Sequence, residues 1–161
     1  MKIAIYPGSF DPITKGHLDI LERALNIFDQ VVVLLAINPY KTTTFSKDDR
    51  YNMILEATRQ YGNRVKVDVS EGLSVAYAKQ VHACALVRGL RAVPDFEYEF
   101  QIAAGNQFID PEIEMVFFMS RLASLFVSSS TIKQLAQQQV DISSLVPENV
   151  NRFLKDFYYQ K

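Results

Sequence analysis

The run Ser9-Phe10-Asp11-Pro12-Ile13-Thr14-Lys15-Gly16-His17 joins a short apolar stretch to an amphipathic one through a turn suited to phosphates. Ile3, Ala4 and Ile5 read as a buried strand that Pro7, Gly8 and Pro12 break. Gly16-His17 then opens a helix with Leu18, Leu21, Ala24, Leu25 and Phe28 on one face. A strand, a glycine-containing turn and a helix start leave unpaired backbone N–H groups and the positive end of the helix dipole beside whatever binds there, which favours an anion. Arg88 and Arg91 stand three apart around Gly89; arginine suits bidentate phosphate binding, and glycine lets the backbone approach a ligand closely. Ser128, Ser129 and Ser130, followed by Thr131 and Ile132, read as a helix N-cap cluster whose hydroxyls and free N–H groups also suit phosphate oxygens. Glu97 and Glu99 flank Tyr98 on an expected helix, and because residues two apart do not share a helix face they are no paired-carboxylate acid–base site. His82 reads as structural or exposed, and Cys84, within Ala83-Cys84-Ala85-Leu86-Val87, as a small buried strand residue.

These residues need a scaffold that brings them to one edge, and the pattern of the chain supplies one. Val31 to Ile37 is an unbroken apolar run, as in a parallel strand covered on both faces. Val65, Val67 and Val69 alternate with Lys66 and Asp68, and Ala83 to Val87 and Met115 to Met119 are two further strand candidates. Between and after them, Ser46 to Gln60, Leu73 to Gln80, Asp95 to Phe108, Thr131 to Gln139 and Pro147 to Tyr159 read as helices, with Ser46 and Asp49 as a short-armed capping box. The apolar set Phe96, Phe100, Ala103 and Ala104 reads as core or as a subunit contact. Strand–helix alternation implies an α/β fold, a Rossmann-like, doubly wound, five-stranded parallel sheet with helices on both faces and a C-terminal helix. In such sheets ligands sit outside the carboxyl ends of the strands, at the switch point in strand order. Each chemical motif follows an expected strand, with Ser9 to His17 after the first, Lys41 after the second, Leu73 after the third, Arg88 to Arg91 after the fourth and Ser128 to Ser130 after the fifth.

Composition bounds the possibilities. A chain of 161 residues with 48% hydrophobic content is about one domain long and supplies a real core, so a single domain over 1–161 is expected. A net charge of −1 argues against broad electrostatic binding to nucleic acid or an anionic membrane. The one cysteine excludes an internal disulfide and a cysteine-based zinc cluster. No apolar run approaches about 18 residues and no signal-peptide core precedes the first strand, so a soluble cytoplasmic protein is expected.

Thr14-Lys15-Gly16-His17 resembles the signature of the (H/T)xGH nucleotidyltransferase superfamily. Arg88-Gly89-Leu90-Arg91-Ala92-Val93, Asp95-Phe96-Glu97-Tyr98-Glu99 and Ser128-Ser129-Ser130 extend the resemblance, in order and spacing, to the bacterial phosphopantetheine adenylyltransferase family over nearly the whole chain. The resemblance implies transfer of the adenylyl group of ATP to 4′-phosphopantetheine, with Mg²⁺ bridging the triphosphate, no protein metal ligands and a homohexamer. Its implied catalytic residues are His17, Lys41 and Arg91. Those implied to bind ATP are Ser9, Phe10, His17, Gly89, Leu90, Arg91, Glu99 and Ser124-Leu125-Phe126-Val127-Ser128-Ser129-Ser130. Those implied to bind the acceptor are Ser9, Lys41, Leu73, Ser74, Arg88, Asn106 and Gln134. In-line attack on the α-phosphorus needs position and countercharge but no protein nucleophile, which fits the lack of a catalytic triad. The chain departs from the family pattern at Ser124 to Val127, at Gln134 where glutamate is usual, and at Gly105 before Asn106. A cytidylyltransferase or a nicotinamide mononucleotide adenylyltransferase would share Thr14 to His17 and the serine motif but not the Arg88 to Arg91 and Asp95 to Glu99 blocks. A silent ligand-sensing or RNA-binding module could keep the same fold, though the charge balance offers no basic stripe.

Overall fold

The computed structural model describes residues 1–159; Gln160 and Lys161, which end the domain expected over 1–161, lie outside the described residues. Five strands, β1 (Ile3–Gly8), β2 (Gln30–Ala36), β3 (Val65–Ser70), β4 (Ala85–Leu90) and β5 (Glu114–Met119), form one parallel sheet in the order β3-β2-β1-β4-β5. The helices are α1 (Lys15–Ala24), α2 (Lys47–Thr58), α3 (Ser74–Gln80), α4 (Val93–Ile109), α5 (Ser129–Gln137) and α6 (Glu148–Tyr159).

Parallel strands covered on both sides bury alternate residues in two separate layers. Ala4, Tyr6, Val31, Val33, Leu35, Ala85 and Val87 pack with residues of α1, α2, α5 and α6 in the larger core. Ile5, Val32, Leu34 and Leu86 pack with Val75 and Ala78 of α3 in the smaller one. The chain runs outward from β1 to β3 and then crosses back to β4 on the other flank of β1, so strand order reverses between β1 and β4. Among the described residues no helix is long and apolar enough to cross a membrane.

Three expectations are corrected by the structure, and a fourth, that Phe96 and Phe100 are core or a subunit contact, is narrowed to the second. β1 does not break at Pro7, because Pro7 and Gly8 stay paired with Leu34 and Leu35 of β2. The Pro7 carbonyl faces the β4 side, where it accepts from Arg88 Nη1 at 3.0 Å; the β1–β4 ladder has by then ended, pairing only Ala4 with Ala85 and Ile5 with Leu86, so the N–H that proline lacks has no ladder partner to lose. The fourth strand is displaced toward the C-terminus. Arg88 and Gly89 pair with Phe117 and Phe118 inside it rather than following it. Cys84 precedes that strand and is exposed, its Sγ donating to the Ile3 carbonyl at the end of the sheet opposite the motifs. Finally, Phe96 and Phe100 are not core. They are 48% and 61% exposed, and the only buried residue of α4 is Glu99.

Candidate active site

β1 and β4 diverge at their carboxyl ends, and a cavity of about 720 Å³ opens there. Ser9, Phe10, His17, Lys41, Arg88, Gly89, Arg91, Glu99, Ser124, Val127, Ser128, Ser129 and Ser130 all line it. Motifs far apart in sequence thus meet at the switch point, as strand order requires.

His17 is held by the first turn of its own helix. Thr14, fully buried, is the N-cap of α1; its hydroxyl accepts from the His17 N–H at 3.4 Å, and its N–H donates to His17 Nδ1 at 3.0 Å. This is a reciprocal capping box in which histidine stands where glutamate or glutamine is usual. With Nδ1 accepting from a backbone N–H, the neutral ring carries its proton on Nε2, its one donor. Burial first, and then the Arg91 and Arg88 cations, push its pKa down from 6.5 to about 4. The imidazole is therefore a neutral hydrogen-bond donor near pH 7. The Phe10 ring, 3% exposed, packs edge-on against it with centroids 5.0 Å apart. Phe10 has φ 43°, a conformation that costs a bulky residue about 1–3 kcal/mol, and a Cβ on Gly8 would stand 3.0 Å from that ring. Phe10 thus reaches the site chiefly as a backing for the imidazole.

A pH prediction follows from the depressed value. Protons bind the unfolded His17 more tightly than the folded one, so its contribution to stability is complete above pH 6.5 and is lost as pH falls through about 4. Nitrogen-15 NMR of labelled imidazole should show an Nε2–H tautomer at pH 7 and a midpoint near 4. A midpoint near the ordinary value would refute the half-buried, neutral donor.

Arg88 is bound face to face by Glu99 of α4: Nε donates to Oε2 at 2.8 Å and Nη2 to Oε1 at 2.6 Å. Both oxygens of the Glu99 carboxylate, whose side chain is 8% exposed, are engaged by the guanidinium, so of the two arginines that Glu99 was expected to orient beside its place at the nucleotide site, it holds Arg88. The Arg88 side chain also borders a second, more apolar cavity of about 570 Å³. Leu73, Ser74, Ile102, Asn106 and Met115 line that cavity, and Pro7, Tyr40 and Arg88 belong to both.

The remaining phosphate-type groups surround the first cavity. Ser128 is the N-cap of α5, its hydroxyl accepting from the Thr131 N–H at 3.1 Å, while the Ser129 hydroxyl donates to the Pro12 carbonyl at 2.7 Å. The second of these ties the start of α5 to the loop before α1. Arg91 pairs with Asp95 at 3.4 Å, four residues on. Lys41 sits on the exposed loop after β2, its backbone N–H closing a turn onto the Asn38 carbonyl at 3.0 Å.

Four expected site residues are not brought to either cavity. Leu90 is buried and, one residue on from Gly89 along β4, points to the opposite face of the sheet. Leu125 and Phe126 are exposed, 40% and 58%, on the turn between Leu122–Ser124 and α5, where only Ser124 and Val127 line the cavity. Gln134 is exposed on α5; its neighbour Lys133 lines the cavity, and adjacent residues on a helix point about 100° apart. Sequence reasoning missed the parts played by Asp11, Arg50 and Lys133. Asp11 lay inside the motif, but a charge at 8% exposure becomes visible only with its partners.

Residues 5–135 match the cytidylyltransferase-like family model. The chain is 48% identical over 156 residues to a phosphopantetheine adenylyltransferase of Desulforudis audaxviator, covering 97% of this chain and 95% of that one. It is 43% identical over 161 residues to a phosphopantetheine adenylyltransferase of Carboxydothermus hydrogenoformans, covering 100% and 99%. A solved structure described as a nicotinate-nucleotide adenylyltransferase from Vibrio parahaemolyticus superposes with a TM-score of 0.73 at 20% identity over 96% of this chain and 99% of that one, a likeness of fold.

Proposed function

This chain belongs to the phosphopantetheine adenylyltransferase family, within the cytidylyltransferase-like group, and from that premise we propose how its residues carry the reaction. The enzyme transfers the adenylyl group of ATP to 4′-phosphopantetheine, giving dephospho-coenzyme A and pyrophosphate. The observation that carries the reading is the place of Arg88, between a cavity rich in phosphate-type donors and an apolar one. An acceptor with a phosphate on a long uncharged arm fits that junction, its phosphate on Arg88 and its arm along Leu73, Ser74 and Asn106.

An oxygen of the acceptor phosphate attacks the α-phosphorus in line, the bond to the β-phosphate oxygen breaks, and pyrophosphate leaves without a covalent enzyme intermediate. The Nε2–H of His17 donates to an α-phosphate oxygen as charge builds in the transition state, with Ser9 between the reacting phosphates and Lys41 and Arg91 as countercharges. The start of α5, Ser128 to Ser130, grips the β- and γ-phosphates. Mg²⁺ arrives as part of the nucleotide substrate. The carboxylates that line the cavity, Asp11, Asp95 and Glu99, are each paired with a cation, and an ion that keeps several waters and takes phosphate oxygens would need few ligands from the protein. The exposed apolar side chains of α4, among them Val93, Phe96, Phe100 and Phe108, support assembly of copies of this chain, a homohexamer in the cytoplasm.

Pyrophosphate release with Mg²⁺ and ATP is expected with 4′-phosphopantetheine and not with nicotinamide mononucleotide, nor with CTP and glycerol 3-phosphate. Release with another pair would overturn the substrate assignment.

A further inference from the structure

The loop that carries Lys41 is long and exposed, with Tyr40 at 95% exposure, yet its far end is pinned to the loop after β1 by a single carboxylate. Asp11 Oδ2 accepts from the Thr44 N–H at 2.9 Å and Oδ1 from the Phe45 N–H at 3.0 Å. Lys133 of α5 closes the same cluster, its Nζ donating to Asp11 Oδ2 at 2.8 Å and to Thr44 Oγ1 at 3.0 Å. A second tie runs parallel to it. Arg50 of α2, 4% exposed, donates from Nε to the Phe45 carbonyl at 3.1 Å and from Nη1 to the Ser9 carbonyl at 2.9 Å.

We propose that Asp11 is a positioning residue for adenylyl transfer, acting through Lys41. Its carboxylate, locked by Lys133, fixes the register of the Lys41 loop against the Ser9 and His17 turn. The proposal rests on the reading of Lys41 as a phosphate-binding countercharge. The physical case is one of complementarity. Two backbone N–H donors and an ammonium converge on one small group, and only an ionised carboxylate offers acceptors to all three. An asparagine has the same shape but turns an NH₂ toward one of those donors. That displaces the loop without emptying the space, and a misplacement of about 1 Å at a reacting centre can cost about 10²-fold in rate.

The test is a double-mutant cycle between Asp11→Asn and Lys41→Met, read as kcat and acceptor KM, with thermal melts run alongside. Asp11→Asn alone is expected to lower kcat by about 10- to 100-fold, and to have little further effect once Lys41 is methionine. A merely structural role would lower activity by the same factor in both backgrounds, and that result overturns the proposal. Wild-type turnover in Lys41→Met alone would instead overturn the role of Lys41, and this proposal with it. Should Asp11→Asn melt below the assay temperature, the cycle is run with Lys133→Met, which leaves both backbone bonds to Asp11 in place, and the same coupling or its absence decides.

Discussion

Exchanging His17 for asparagine is expected to lower kcat by at least about 10²-fold, the scale of losing one donor to a developing oxyanion, while ATP affinity and Tm stay near those of the parent enzyme. The reason lies in the two ends of the imidazole. Nδ1 serves the fold by accepting from the N–H of the fully buried Thr14, and the Oδ1 of an asparagine can take over that bond. Nε2–H serves the reaction, and asparagine is too short to replace it. His17→Ala removes both, so the same loss of turnover should come with a loss of stability of about 1–3 kcal/mol from the orphaned buried donor. Steady-state kinetics, calorimetric titration with ATP and thermal melts of the two variants separate the roles. Near-normal turnover in His17→Asn would sink the transition-state assignment.

Arg88→Ala is expected to raise the acceptor KM by about 10- to 100-fold, as loss of charge-assisted hydrogen bonds to a phosphate implies, and to leave the ATP KM little changed. It should also destabilise the protein by about 3–5 kcal/mol, because the Glu99 carboxylate, 8% exposed, is left buried without its partner. The double variant Arg88→Ala/Glu99→Gln removes the stranded charge and should regain much of that stability without regaining acceptor affinity. An unchanged acceptor KM with an altered ATP KM would reverse the assignment of Arg88.

These two residues show how unevenly the site could be read. The turn before His17 was legible because strand, glycine and helix start are local; the reciprocal box with Thr14 was not read, although it lies within three residues of sequence. Arg88 was legible as a phosphate ligand and Glu99 as a nucleotide-site residue that could also orient Arg88 or Arg91; which arginine it holds was not, because that pairing spans eleven residues and the path from β4 into α4. Leu90 was grouped with Gly89 and Arg91 as neighbours in a motif, whereas inside a strand the pleat sends alternate residues to opposite faces. Gln134 lies off the cavity for the helical form of the same reason, one step along α5 from Lys133.

Periodicity and glycine placement, properties of short stretches, determined the strand–helix alternation, the parallel sheet and the phosphate character of the turn after β1; the family resemblance added the reaction class. What only the tertiary structure decided depends on groups distant in sequence that the sheet brings within a few ångströms of one another. Those decisions are the lowered pKa of His17, the engagement of Glu99 by Arg88, the meeting of two cavities at that arginine, and the pinning of the Lys41 loop by Asp11 and Lys133. Burial and charge act through distance in space, and that distance exists only once β1 and β4 lie side by side.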